Sequence, residues 1–262
     1  GSMHGEGAVS SLQYAKTLMK VPMGVFGLAY GVAVYPSLAK LVADKDDSGA
    51  YALLLTTAKR VLFLALGAQA ILSSVGADLA RIIYGERLME GQPEMIGQCL
   101  TFISIGLWGW SIQTILARGF YAKENTWTPT IIGTVMTLAT ALVYSILGDR
   151  YGIVGLAGAS AIAVSLYVVV LEVFLRRFYM VQSDSILMTV LKMGLSVTVC
   201  VLFGQWFTAI ELMQSFPSLV RIGVVSSVVG VLYLLAINVW RIPEIRSAQE
   251  DIFGKVRAKL RL

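Results

Sequence analysis

Seven long apolar stretches joined by short polar loops take up the chain from Ala8 to Trp240. A membrane-crossing helix needs about 20 apolar residues, and in hydrocarbon each backbone N–H and C=O has to be paired within its own segment. The stretches therefore predict α-helices, at Ala8 to Val42, Tyr51 to Tyr84, Glu94 to Ala122, Thr130 to Leu147, Ile153 to Leu175, Ile186 to Ile210 and Leu219 to Trp240. One water-soluble core cannot hide them. The 262 residues are 56% hydrophobic and 14% charged, where soluble domains carry about 25% charged residues. The fold class expected is all-α, a polytopic integral membrane protein with about seven transmembrane helices. Disordered, collagenous and disulfide-scaffold classes are excluded.

The first three stretches exceed the roughly 30 Å of bilayer hydrocarbon, so they must tilt, kink or project. The first carries Pro22, Gly24, Gly27, Gly31 and Pro36, and Pro22, Gly24 and Gly27 are its candidate hinge. Short loops leave no room for an extramembrane domain. The expected organisation is a cloning remnant with N-terminal residues at 1–7, a transmembrane lobe of seven helices at 8–241 and a basic amphipathic tail helix at 242–262. Gly1-Ser2-Met3-His4-Gly5 reads as a cloning remnant, and it holds the single histidine.

The tail places Ile245, Ile252, Phe253, Val256 and Leu260 at helical spacing among Arg246, Lys255, Arg257, Lys259 and Arg261. That pattern fits a basic amphipathic helix on an anionic lipid surface, or a solvated charged tail. With the tail in the cytoplasm, that side also collects Lys40, Lys45, Lys59, Arg60, Arg118, Lys123, Arg176, Arg177 and Arg241, leaving Arg81, Arg87, Arg150 and Arg221 opposite. The bias puts the N-terminus outside and the C-terminus inside. The net charge of +5 is thus a topology signal, and no basic groove with interleaved aromatics points to nucleic acid.

Polar groups inside spans are costly and are functional candidates by default. Gln13, Lys16, Thr17 and Lys20 recur at three and four residues on one face of the first span. Two lysines a turn apart repel unless an anion lies between them; a phosphate in a hydrated cavity would suit them, and snorkelling to headgroups is the alternative. Glu172 with Arg176, and Asp78 with Arg81, have the spacing of structural ion pairs. Gln69 and Gln113 are expected to make interhelical hydrogen bonds, with lining of a cavity as the alternative. The small-residue runs Gly155 to Ser160 and Gly223 to Gly230 are expected to let helices approach closely. Cys99 and Cys200 read as packing residues. No nucleotide loop, metal motif or activated nucleophile is found, so neither enzyme chemistry nor a metal or other cofactor is expected.

Several stretches together resemble one family. Ala8-Val9-Ser10-Ser11-Leu12-Gln13-Tyr14-Ala15, Leu18-Met19, Pro22, Gly24 to Ala29 and Pro36-Ser37-Leu38 resemble the start of the C-terminal lobe of the MurJ (MviN) lipid II flippases. Gly119 to Asn125 with Thr128-Pro129, and Gly155 to Ala159, resemble later stretches in the same order. The resemblance implies one lobe of a MATE-like exporter of the MOP superfamily: the eighth to fourteenth helices of fourteen, in the bacterial inner membrane, partnered by an N-terminal lobe. It also implies a function in cell-wall synthesis, flipping the peptidoglycan precursor lipid II between leaflets by alternating access, with Gln13, Lys16, Thr17 and Lys20 at the headgroup phosphates. A family cavity arginine falls at Thr17, beside Lys16, and a family acidic position at Lys20, so positive charge is kept but moved. Some members hold sodium on the span matching Thr130 to Leu147; here it offers Thr137, Thr140 and Tyr144 without a carboxylate, and no sodium site is expected. The alternatives are an exporter of undecaprenyl-linked oligosaccharide or small cations, whose cavity should hold carboxylates, and a non-transporting scaffold for cell-wall enzymes.

Overall fold

In a computed structural model, residues 7–181 and 186–240 are described. The expected tail helix and the N-terminal residues up to Glu6 lie outside the described residues. The order is α1 (Ala8–Met23), a π-helical turn (Gly24–Leu28), α2 (Ala29–Ala43), α3 (Asp47–Tyr84), α4 (Gln92–Ser104), α5 (Leu107–Ala122), α6 (Trp127–Phe178), α7 (Ile186–Ala209), α8 (Glu211–Gln214) and α9 (Ser218–Asn238).

Helix α1, the π turn and α2 run on as one 36-residue rod. Helices α4 and α5 form a span bent by 41°, where the single stretch expected at Glu94 to Ala122 breaks at Ile105 and Gly106. The 52 residues of α6 are two arms, broken at Gly152, whose φ of 59° and ψ of −137° are non-helical. The Tyr144 hydroxyl donates to Ser160 Oγ at 3.2 Å, and Tyr167 to the Pro129 carbonyl at 3.4 Å, as an antiparallel hairpin requires. Among the described residues five helices are long and apolar enough to cross a membrane, six with the bent pair taken as one span, and taking the two arms of α6 separately gives seven, the number read from the sequence.

Helix α3 is the central post: 67% of its most apolar window is buried, against 22% for α1–α2 and for α9. It contacts α2, α4, α5, α7 and α9, and at about 57 Å its 38 residues outreach the bilayer. Its start is fixed by Asp46, whose carboxylate accepts the Gly49 N–H at 2.9 Å; that bond and the Ser48 hydroxyl hold the Asp46 carboxyl below its usual range. Small residues set the close packing of α3 on α4, where a Cβ on Gly76 would lie 3.2 Å from Gly97 Cα. Ser73 and Ser104 share a hydrogen bond at 3.0 Å, and the Thr101 hydroxyl donates to the Ser73 carbonyl. Gly223 and Gly230 do not behave as expected. A Cβ on either would meet nothing within 4 Å, because these glycines fall on the face of α9 turned away from the lobe.

Charge is neutralised at both ends. At the Asp47 end, Lys123 pairs with Asp47 at 2.7 Å and stands 4.2 Å from the Tyr179 ring centre. At the Tyr84 end, Asp78 is 5% exposed and accepts Arg81 Nη1 at 2.9 Å, Arg221 Nε at 2.7 Å and Arg221 Nη2. Arg81 also pairs with Glu94. The Asp78 to Arg81 pair was legible from spacing. Arg221, 143 positions away, was not, and it ties α9 to α3. Glu172, expected to pair with Arg176, accepts the backbone N–H of Ile186 at 2.8 Å and so caps the start of α7.

Candidate substrate-facing surface

Helix α1 buries Ala8, Ser11, Ala15, Leu18 and Met19, chiefly against α4. The Tyr14 and Tyr84 rings pack at a tilt of 33° with centres 4.3 Å apart, and the Tyr84 hydroxyl donates to the Tyr14 carbonyl. The helix is thereby held with Gln13, Thr17 and Lys20 exposed and Lys16 partly buried at the edge of the same face. The Thr17 hydroxyl donates to the Gln13 carbonyl at 2.9 Å. Among the described residues, neither Lys16 nor Lys20 has a hydrogen bond or ion pair. The structure therefore brings the four candidates onto one surface that the lobe itself does not cover, with two cations free to meet an anion.

Immediately after this surface the helix widens into the π turn. Pro22, in the last turn of α1, has no N–H to donate. The Thr114 hydroxyl of α5 donates to the Gly27 carbonyl at 3.2 Å, as well as to Ser111 O. The three hinge candidates thus differ. Gly24 faces open space, whereas a Cβ on Gly27 would sit 3.1 Å from Ser111 Cα, so Gly27 is a close-packing residue locked against α5. π turns inside helices occur often at functional sites.

A second polar surface was only partly legible. Trp110 and Gln113 of α5 face Thr137, Thr140, Tyr144, Ser160 and Tyr167 of the hairpin across a cleft of about 330 Å³. The signal for it was the Gly133, Thr137, Thr140, Tyr144 repeat at three and four residues. Its hydroxyls are used internally: Thr137 donates to Gly133 O at 2.8 Å, Thr140 to Met136 O at 2.8 Å and Ser160 to Leu156 O at 3.0 Å. Among the described residues no group of three His, Cys, Asp or Glu could hold a metal, and the cleft wall is uncharged.

The interhelical hydrogen bonds expected of Gln69 and Gln113 are not made among the described residues. Gln113 opens onto the cleft, and Gln69 is 8% exposed with Oε1 unpartnered. Ser73, Thr101 and Ser104 bond across the close α3 to α4 contact instead, and Gln205 of α7 donates to the Ser73 carbonyl and to Thr101 Oγ1, each at 3.5 Å. Since a buried unpaired amide costs about 1–3 kcal/mol, Gln69→Met should leave stability unchanged or raise it by about 1 kcal/mol. Thermal unfolding in detergent checks this, and a loss of stability would show that Gln69 has a polar partner.

The family model described as lipid II flippase MurJ matches residues 2–225. The chain belongs to this family. A relative named probable lipid II flippase MurJ, from Rhizobium tropici, is 31% identical over 177 residues, 66% of this chain and 32% of its own length. The lipid II flippase MurJ of Burkholderia cenocepacia is 32% identical over 175 residues, again 66% of this chain and 34% of its own length. A solved lipid II flippase MurJ in an inward closed conformation shares the fold, with a TM-score of 0.71 at 22% identity, over 91% of this chain and 48% of its own. The chain thus spans about a third of the length of these two MurJ relatives and about half of the solved MurJ.

Proposed function

We propose that the chain is the C-terminal lobe of a lipid II flippase of the bacterial inner membrane, with the start of α1 on the periplasmic side and the tail in the cytoplasm. The carrying observation is the face of α1 on which Lys16 and Lys20 stand without partners beside Gln13 and Thr17. A pyrophosphate between two such lysines would relieve their mutual repulsion in a low-dielectric setting. In the working cycle an N-terminal lobe closes the other side of this surface, the polyprenyl tail stays in the bilayer, and the lobes rock to expose the headgroup to either side. The π turn after Pro22 and the open-sided Gly24 supply the bend. No bond is made or broken. A small-cation exporter fits less well, because the buried carboxylates Asp78 and Glu172 are engaged in structural bonds.

The test is complementation in bacteria depleted of their own lipid II flippase, with insertion checked by immunoblot. The full-length transporter containing this lobe should restore growth, and Lys16→Ala/Lys20→Ala should abolish it at equal membrane level. Growth restored by both would discard the lysines as phosphate ligands; growth restored by neither would discard lipid II as cargo.

A further inference from the structure

On the side of the hairpin formed by Phe102, Ile105, Leu147, Tyr151, Gly158 and Ile162 runs an apolar groove of about 480 Å³. That is the size of a ligand pocket, whose usual range is roughly 300–1,000 Å³. It lies between residues 102–105, at the bend of α4 and α5, and the 153–178 arm, where Gly158 carries no side chain to fill it. Of its two hydroxyls, that of Ser165 donates to the Ala161 carbonyl at 2.7 Å, and the other belongs to Tyr151 at its mouth. Phe102, Ile105, Tyr151 and Ile162 are all exposed on spans that stand in hydrocarbon, so the groove is open to lipid.

Its mouth is chemically different. Tyr151, 65% exposed, lies at the hairpin tip, the position where aromatic side chains mark the headgroup level. Next to it Arg150 is exposed and has no ion pair or hydrogen bond among the described residues. The neighbouring Asp149 accepts from the Ser145 hydroxyl at 3.5 Å. An apolar groove ending at headgroup depth beside an unpaired arginine is complementary to one class of molecule.

We propose that this groove seats an acyl chain of a bilayer phospholipid in the leaflet at the Gly152 end, with the headgroup phosphate at Arg150. The site lies on a different face of the hairpin from the polar cleft and is independent of the cargo assigned to α1.

Native mass spectrometry of the chain in detergent, titrated with phosphatidylglycerol or with phosphate-free diacylglycerol, tests it. A Cβ on Gly158 would approach only Phe102 Cδ1, at 4.0 Å, so Gly158→Trp grows into the groove rather than into backbone. It should weaken the single phosphatidylglycerol adduct about tenfold, as loss of roughly two buried methylenes would. Arg150→Gln should weaken phosphatidylglycerol about fivefold and leave diacylglycerol unchanged, with Arg150→Lys restoring it. Binding equal to wild type in both Gly158→Trp and Arg150→Gln overturns the proposal. Should Gly158→Trp not fold, a photo-crosslinking benzoylphenylalanine in place of Ile162 decides in membranes. Capture of lipid supports the site, whereas capture of a polypeptide, whether another helix or a second copy, or of nothing, overturns it.

Discussion

Asp78→Ala should destabilise the lobe by about 3 kcal/mol, the low end of what removing one partner from a buried ion pair costs. Arg221 is the reason. Its side chain is 13% exposed and its guanidinium grips both Asp78 oxygens, so without Asp78 it is left charged and nearly dry. Arg81, at 37% exposure, can turn to Glu94 and water and loses less. Arg221→Ala should cost less, about 1–2 kcal/mol, because Asp78 keeps Arg81. The double variant Asp78→Leu/Arg221→Met should recover most of the loss, since apolar side chains of similar size often replace a buried pair without penalty. Thermal unfolding of the four proteins in one detergent gives the comparison. If Asp78→Ala melts with wild type, the network is ornamental; if the double variant is worse than either single change, the two residues do not act as a pair.

Gly155→Val should be at least as damaging, costing about 3 kcal/mol or more, above the usual range for overpacking. A Cβ there would lie 1.9 Å from the Leu147 carbonyl oxygen and 2.6 Å from its carbon. These are backbone atoms of the facing arm, so relief demands that the hairpin open. The turn itself has little give, because Gly152 sits at positive φ, in a region that side chains rarely tolerate. Opening the arms would part Tyr144 from Ser160 and remove one wall of the polar cleft. The expected signs are low yield and a collapsed melting transition for Gly155→Val, beside near-normal behaviour for Gly194→Val, whose Cβ would meet nothing within 4 Å. Equal stability of the two would show that the hairpin flexes at no cost.

The lobe's helical nature and its span number were legible in the sequence because they follow from lengths of apolar chain and the need to pair backbone groups in lipid. The spacing of Gln13, Lys16, Thr17 and Lys20 likewise placed them on one face, since helical periodicity is local. The reversal at Gly152 was legible, since the sequence puts a short turn between the spans Thr130 to Leu147 and Ile153 to Leu175, whereas the bend at Ile105 and Gly106 inside a single apolar stretch was shown only by packing. Readings of partners fared unevenly, with the Asp78 to Arg81 pair made as expected. Gln69 and Gln113 looked like interhelical donors by chemistry, yet Gln69 Oε1 is unpartnered, Gln113 opens onto the cleft, and Ser73, Thr101, Ser104 and Gln205 make the bonds between helices. Glu172 sat one turn from Arg176 in sequence, and it also caps a helix that begins fourteen residues later.

By itself, the sequence determined that the chain is an all-α membrane protein, where its long apolar helices fall, and which face of α1 carries the cations, since each depends on neighbours within a few turns of one helix. The tertiary structure alone decided which buried charges are neutralised and by whom, which glycines serve contact rather than bending, and where the grooves open. Those depend on residues tens to more than a hundred positions apart, and no local periodicity encodes which of them meet.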